Sequence, residues 1–315
     1  MEHNENIINF LTSNYNIKEN DIEIKFNNDE FIVNILPSVI VLGLKNSSVD
    51  SLTGGLFKFG TIHDLAITDC DQLVDLYGLQ DANIKGSIRI LRCDKLKNLI
   101  GLPEQFEGPN SNITITDCEN FESLEGCPIK VSSCFTYGGC PKLKNLKYIP
   151  KFRHNEHGYI ILFNNKSLNN LQGIDKNFCG DIYIYINDCI SLKSLHGCPK
   201  ELNSFECRNC IGLETLEGGP EIVNDFFDCS YCSKLRDLTG APVKVGGGFK
   251  FNYCKGLLTI EGYPDVVGKP LWPIGIPKVP QQVLNDAYYQ RYSKNSKNKY
   301  VFINTKEDKW YKTYK

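Results

Sequence analysis

The chain has 315 residues, and its 35 Lys and Arg nearly balance its 37 Asp and Glu, for a formal net charge of −2. No apolar run approaches the length of a membrane-spanning helix, about 20 residues, which argues against a helical membrane protein. Residues 269–315 carry ten Lys and Arg against three Asp and Glu, or +7, which leaves −9 for residues 1–268 and argues against nucleic acid as the main ligand of that acidic body.

Residues 1–38 predict an N-terminal cap. Residues 4–14 predict a short helix with Ile7, Ile8 and Leu11 on one side. Two segments with alternating apolar residues follow, and the turn-forming Asn27-Asn28-Asp29 between them predicts a β-hairpin over residues 22–35. The first residues contain neither a basic leader nor a long apolar core, so we expect no signal peptide.

One spacing recurs about nine times between residues 65 and 264, with a degenerate earlier member at Asn46, and predicts a repeat domain over residues 39–268. Two alternating apolar residues are followed by Cys, by Leu three residues later, by Leu three after that and by Gly two after that, as in residues 65–78. A Cys or Asn recurs every 21 to 25 residues and defines a reference column: Asn46, Cys70, Cys93, Cys118, Cys140, Asn165, Cys189, Cys210, Cys232 and Cys254. Periods of this size predict a solenoid, in which each repeat buries its apolar side against its neighbours.

Each repeat predicts one short strand. Apolar residues stand five and three residues before the reference position, as in Ile184 and Ile186 before Cys189, and this alternation predicts a strand with both side chains inward. A small Cys or Asn suits an inward position where the strand bends, because Cys packs as a small hydrophobe and Asn bonds neighbouring backbone. About ten rungs at the usual strand spacing predict a stack on the order of 50 Å long.

The spacing resembles the leucine-rich-repeat family, whose short core is L-x-x-L-x-L-x-x-N/C-x-L. The resemblance covers about residues 40–270. Later repeats add Leu-x-Gly-x-Pro, as in Leu124-Glu-Gly126-Cys-Pro128, which is similar to the short repeats of bacterial and bacteriophage proteins. It implies a β-rich solenoid of about 9–10 rungs that binds a protein partner without catalysing a reaction, encoded by a bacterium, a phage or a large DNA virus.

The convex side of this solenoid is predicted to be extended or turn-like. The return segment between Gly240 and Phe249 is too short for a useful helix and contains Pro242. The glycines at 246–248 lack the Lys-Ser/Thr of a phosphate loop and are interpreted as a turn. Lys147-Tyr148 replaces the usual step to Gly, which predicts local irregularity near 145–160.

Residues 269–315 predict a Pro-rich connector, a short helix over Gln281–Arg291, and a basic tail with six Tyr. One interpretation is a C-terminal cap with solvated lysines. The other is an arm, residues 289–315, that binds nucleic acid, an anionic surface or another subunit.

Eight of the 14 cysteines lie on the reference column, so packing accounts for them and we expect a reducing, cytoplasmic location. Cys207-x₂-Cys210 and Cys229-x₂-Cys232 also have the spacing of a zinc site. The repeat already explains all four, since Cys210 and Cys232 are reference residues and the other two replace inward apolar residues. We therefore favour core cysteines over zinc and expect no metal or cofactor.

Catalytic motifs are absent from the sequence. His154-Asn-Glu-His157 is not His-Glu-x-x-His, and its position between Pro150 and the strand at Ile160 predicts a solvated loop. No nucleophile has an assignable base, so we expect no enzyme activity.

Positions four, two and one before the reference residue are predicted to point outward. Leu91, Ile161, Phe163 and Tyr185 would then form an apolar patch near the middle of the solenoid. This surface is either an ordinary solvated sheet or a partner-binding face, since aromatic residues and Arg are the usual interface anchors. The candidate partner-binding residues are Arg89, Leu91, Arg92, Ile161, Phe163, Tyr185, Arg208, Tyr231 and Tyr253.

Three functions are compatible with the sequence. The favoured one is a protein-interaction scaffold that uses the strand face. The alternatives are a structural component of a particle or oligomer, and a nucleic-acid-associated factor that acts through the basic tail.

Overall fold

The computed structural model describes residues 2–15, 17–27, 29–37, 39, 41–45, 48–104, 111–152, 157–174, 181–269 and 273–284. These residues form a parallel β-solenoid of about nine turns, which confirms the predicted β-rich solenoid. None of the helical segments in this part of the chain has both the length and the hydropathy of a membrane-spanning helix.

The first elements are helix α1 (Glu2–Asn14), a 3₁₀ turn (Glu19–Asp21), and strands β1 (Ile22–Asn27) and β2 (Glu30–Ile35), which pair antiparallel as a hairpin. The remaining strands, in chain order, are β3 (Val41–Lys45), β4 (Lys58–Phe59), β5 (Thr61–Ile62), β6 (Asp64–Thr68), β7 (Asn83–Ile84), β8 (Ile88–Leu91), β9 (Asn112–Thr116), β10 (Lys130–Val131), β11 (Cys134–Gly138), β12 (Lys151–Phe152), β13 (Gly158–Phe163), β14 (Ile182–Asn187), β15 (Glu201–Leu202), β16 (Ser204–Arg208), β17 (Ile222–Val223), β18 (Phe227–Asp228), β19 (Lys244–Lys250) and β20 (Val266–Lys269).

One long parallel sheet runs the length of the solenoid, in the order β3-β6-β8-β9-β11-β13-β14-β16-β18-β19. Its register places equivalent repeat positions side by side, as in Ile88 opposite Ile113 and Phe227 opposite Phe249. Inward residues therefore stack on inward residues from coil to coil. We call the outer surface of this sheet the strand face.

The other side of the coils is built from turns and two- to four-residue strands, which include the pairs β5–β7 and β10–β12. No described residue of the coils between 41 and 269 is helical, as predicted for the convex side. The glycines at 246–248, interpreted from sequence as a turn, lie within β19 instead. A Cβ on Gly246 would lie 2.0 Å from the Asn224 carbonyl oxygen, so these glycines let the strand pack closely on the preceding coil.

Two left-handed residues bend each coil from β6 onward. The first directly precedes the reference residue, and the second is the eighth residue after it, as Gly101 (φ +105°) is after Cys93. A Cβ on Gly101 would lie 2.3 Å from the Leu76 carbonyl carbon of the preceding coil, so only Gly fits without displacing backbone. Tyr148 (φ +70°) takes the same place in its own coil, which is the predicted departure from the repeat.

The reference residues lie in the core. The eight reference cysteines and Asn165 are all 0 % exposed. Their thiols contact backbone carbonyls, as when Cys93 Sγ donates to Leu91 O (3.4 Å) and Cys232 Sγ to Cys207 O (3.3 Å). Asn165 Nδ2 donates to Tyr137 O (3.4 Å), but Asn165 Oδ1 and the Tyr137 hydroxyl are buried without a hydrogen-bond partner among the described residues. Asn46 lies outside those residues.

Both ends of the solenoid are covered. At the first coil, α1 buries Ile7 and Leu11, and the Tyr15 hydroxyl donates to Leu52 O (2.8 Å). After the last coil, residues 273–284 bury Ile276 and Val279, and residues 281–284 are helical. The rest of the helix predicted over Gln281–Arg291 and the basic tail lie outside the described residues.

Candidate interaction face

Side chains on the strand face lie in rows, because neighbouring strands share one register. The chemistry of these rows changes along the solenoid. Strands β9 and β11 present mainly Thr and Gly, β13 and β14 present aromatic and aliphatic residues, and β16 to β19 present charged residues. The middle of the face is therefore its most apolar part.

Five outward side chains on β13 and β14 form what we call the aromatic patch: Tyr159, Ile161, Phe163, Tyr183 and Tyr185. All five are half-buried. The Tyr159 and Tyr183 rings are stacked, with centroids 4.8 Å apart and planes 15° apart, and the Tyr159 and Tyr185 centroids are 6.5 Å apart. Burial of the Tyr185 phenol, with Tyr159 and Glu206 nearby, raises its pKa.

Phe163 extends the aromatic patch toward β11. It lies opposite Gly138 in the register, and a Cβ on Gly138 would come 2.4 Å from the Phe163 ring. The ring therefore covers the Gly138 backbone, and a larger residue there would displace it.

The nine candidate residues fall into three separate groups. The sheet order places β9 and β11 between β8 and β13. Leu91 on β8 therefore lies apart from Ile161 and Phe163 on β13, which corrects the prediction that it belongs to the same patch. The groups are Arg89, Leu91 and Arg92; Ile161, Phe163 and Tyr185; and Arg208, Tyr231 and Tyr253.

The arginines at the ends of the strands are held by this chain's own groups. Arg92 Nη2 donates to Asp69 Oδ2 (3.0 Å), and this pairing keeps the pKa of Asp69 below its usual range. Arg208 Nε lies 3.7 Å from Asp228 Oδ2, and its guanidinium lies 5.8 Å from the centroid of the Tyr231 ring. These contacts fix both side chains against neighbouring coils.

Tyr231 and Tyr253 form an exposed stack near the end of the solenoid. Their centroids are 4.9 Å apart, and they are 42 % and 37 % exposed. Both have positive φ (65° and 57°), which is unfavourable for a bulky side chain. Arg208 lies against one member of this stack and Gly275 against the other, so it is the ring edges that face solvent.

Tyr159 and Tyr183 were not among the residues predicted from sequence. Both strands extend to six residues and begin one outward position earlier than the repeat pattern indicates. The alternation in Tyr183-Ile184-Tyr185-Ile186 could have identified this outward position.

A cleft of about 450 Å³ opens beside Tyr185 on the strand face. Ser204 Oγ donates to Asp225 Oδ2 (3.4 Å) at its base, and Lys250 Nζ lies 4.6 Å from the centroid of the Phe226 ring. The cleft is lined by Tyr185, Ser204, Glu206, Asp225, Phe226, Gly247, Gly248, Lys250 and Lys269.

The cysteines with zinc spacing are core residues: Cys207, Cys210, Cys229 and Cys232 are each 0 % exposed. Within the described ranges, no three His, Cys, Asp or Glu side chains come together as a metal-binding group. Of the two histidines in the predicted loop, His154 lies outside those ranges, and His157 Nδ1 lies 3.1 Å from Asp181 Oδ2.

The strand face thus presents an aromatic patch with a Thr- and Gly-bearing surface on one side and a cleft with carboxylates and lysines on the other. Comparison of the chain with known protein families, with curated proteins and with solved structures finds no match.

Proposed function

We propose that this protein is a non-enzymatic scaffold that binds a protein partner through the aromatic patch. The observation that carries this proposal is the contiguity of five aromatic and aliphatic side chains on two adjacent strands. Aromatic side chains that pack partly against one another and partly face solvent are the usual anchors of protein interfaces.

The sheet beneath the patch is already ordered. Ile160, Leu162, Ile184 and Ile186 alternate with the patch residues and are all 0 % exposed, so they fix both strands from below. A partner would therefore meet a pre-organised surface, and little conformational entropy would be lost on this side of the interface.

We also infer that the coils are of the leucine-rich-repeat type and that the protein acts in the cytoplasm. The repeat leucines, such as Leu73 and Leu76, are fully buried, as that resemblance requires. The eight reference cysteines are fully buried as small core residues, so packing accounts for them without disulfides, which supports a reducing compartment.

The test is affinity capture from extracts of the source cells, followed by measurement of the dissociation constant for the captured protein. Phe163→Ala and Tyr185→Ala should each weaken binding by about 1–3 kcal/mol. A Thr68→Ala/Thr114→Ala variant, changed on polar strands of the same face, is the matched control and should bind like the wild type. Unchanged affinity in the Phe163→Ala/Tyr185→Ala variant would move the binding site away from the aromatic patch.

A further inference from the structure

One residue interrupts a row of rings on the strand face. Tyr159 lies opposite Tyr183, Tyr183 opposite Ser204, and the pairing of Phe205 with Phe227 places Ser204 beside Phe226. Ser204 is thus the one small side chain between two rings, and it is 4 % exposed beneath them. We call the space above it the Ser204 gap; it is part of the cleft beside Tyr185.

The width of the Ser204 gap fits one planar group. Stacked rings on neighbouring coils of this molecule lie 4.8 Å apart at Tyr159–Tyr183 and 5.2 Å apart at Phe227–Phe249. Tyr183 and Phe226 are separated by two coils, or about 9.6 Å at the usual strand spacing. A planar group at the middle would have a ring on either side at the stacking distance that the molecule itself uses.

The Ser204 gap is bordered by negative charge. Glu206 is half-buried at its rim and, among the described residues, accepts no hydrogen bond and forms no ion pair. The Asp225 carboxylate accepts the Ser204 hydroxyl and, within the same residues, forms no ion pair. Both carboxylates therefore retain capacity to accept hydrogen bonds from a ligand.

The two lysines of the cleft lie beyond Phe226. Lys250 belongs to the coil after Phe226, and its ammonium is over that ring. Lys269 pairs with Gly248, another coil further on. The part of the cleft nearest Ser204 is thus lined by the Tyr185 and Phe226 rings and by the Glu206 and Asp225 carboxylates, and the strand register places Tyr183 next to it.

We propose that the Ser204 gap binds an arginine side chain of the protein partner, an inference that rests on the proposed function. A guanidinium is planar and cationic, stacks on aromatic faces, and donates paired hydrogen bonds to carboxylates. The molecule already places one guanidinium between a ring and a carboxylate, since Arg208 lies 5.8 Å from the centroid of the Tyr231 ring and 3.7 Å from Asp228 Oδ2.

The experiment titrates the full chain with N-acetyl-arginine amide and follows backbone amide NMR shifts of residues 183–186, 204–208 and 225–228. N-acetyl-citrulline amide is the matched probe, because it is planar and nearly isosteric but uncharged. N-acetyl-lysine amide carries the charge without the planar group. The arginine probe should bind about tenfold more tightly than either, since hydrogen bonds between charged groups are stronger than neutral ones.

Two variants test the residues involved. Glu206→Gln keeps the shape of the rim and should remove most of the preference for arginine over citrulline. Ser204→Tyr places a ring in the gap and should block binding of all three probes. Glu119→Gln, an exposed acidic residue in a distant coil, should leave the titration unchanged.

Equal binding of the arginine and citrulline probes, equal binding of the arginine and lysine probes, or no shifts in the gap would each overturn the arginine site. Partner capture that still depends on Phe163 and Tyr185 would in that case leave the proposed function standing. Loss of that dependence would overturn the proposed function itself, whatever the titration shows.

Discussion

The inward and outward sides of the same strands differ in how regularly their residues repeat from coil to coil. Ile184 and Ile186 point inward on β14 and are fully buried, and the equivalent residues of every described coil are also apolar. Tyr183 and Tyr185 point outward on that strand, next to Ser204 and Glu206 on β16 and Tyr159 and Ile161 on β13. An inward residue meets its own equivalent in the next coil, so repetition packs well, whereas an outward residue also faces solvent and can vary. The repeat therefore determines the fold, and departures from it form the surface to which we assign the proposed function.

The largest expected effect comes from placing a charge on the inward side. Cys189→Asp should destabilise the protein by about 3–5 kcal/mol, because a carboxylate would be buried there without a charged partner. Cys189→Asn should cost less, since Asn165 occupies the equivalent position in the neighbouring coil. Urea denaturation of both variants is the measurement, and identical midpoints would contradict the inward assignment.

The next largest loss of stability is expected at Gly101, where the chain bends in the left-handed conformation. Gly101→Ala should destabilise by about 2–4 kcal/mol, because a Cβ there combines left-handed strain with a backbone clash. Gly43→Ala is the matched control: no heavy atom would lie within 4 Å of its Cβ, so its effect should stay within about 0.5 kcal/mol. Similar losses from the two variants would show that the close approach of the coils is not what requires Gly101.

Removal of the buried Tyr137 hydroxyl should have a smaller effect and should increase stability rather than decrease it. Tyr137→Phe should stabilise the protein by about 1 kcal/mol, because the Tyr137 hydroxyl is buried without a hydrogen-bond partner among the described residues. Tyr15→Phe should instead destabilise by about 1 kcal/mol, since that hydroxyl donates to Leu52 O. Thermal unfolding of the pair gives the two signs, and a loss of stability in both would mean that the Tyr137 hydroxyl has a partner.

Tyr148 offers a still smaller gain. Tyr148→Gly should stabilise by about 0.5 kcal/mol, because relief of left-handed strain exceeds the entropy that Gly loses on folding. Tyr77→Gly, at an exposed position without positive φ, lacks that relief and should be destabilising. A destabilised Tyr148→Gly variant would indicate that the contact of Lys147 with the Tyr148 ring, 4.7 Å from its centroid, outweighs the strain.

Treatment with a zinc chelator is expected to leave the stability of the protein unchanged. Metal analysis of the reduced protein should find zinc well below stoichiometry, because Cys207 and Cys229 occupy inward apolar positions of the repeat. Stoichiometric zinc that disappears in Cys207→Ser would contradict this prediction and make the four cysteines a ligand set.

The inward side of the strands could be predicted from the sequence because every coil has the same spacing of apolar residues. Residues five and three before each described reference position are buried where the spacing placed them. The exceptions depend on neighbouring coils. The glycines at 246–248 were interpreted as a turn because the sequence does not show that the Asn224 carbonyl of the preceding coil lies beside them. Leu91 was assigned to the patch because the sequence does not show that two strands lie between it and β13.

The outward site was harder to predict for the same reason. Tyr185 was identified by its spacing, but Tyr159 and Tyr183 required the true strand lengths. The Ser204 gap exists because Ser204 lies between Tyr183 and Phe226, which belong to the two neighbouring coils. These three residues are far apart in the sequence, so the sequence alone does not reveal that they are neighbours. A pattern within one repeat cannot reveal a feature that is defined by differences between repeats.

The buried reference cysteines allow the local opening of individual coils to be measured by the rate at which their thiols are alkylated. Nearly every coil holds at least one thiol that is fully shielded from solvent, so an alkylating reagent can reach it only when that coil opens. In a linear stack, a terminal coil gains support from fewer neighbours than a central one. Cys254 in the last coil and Cys70 in the second coil should therefore be alkylated earlier than Cys140 or Cys189, and the order of labelling would map how opening spreads inward from the ends.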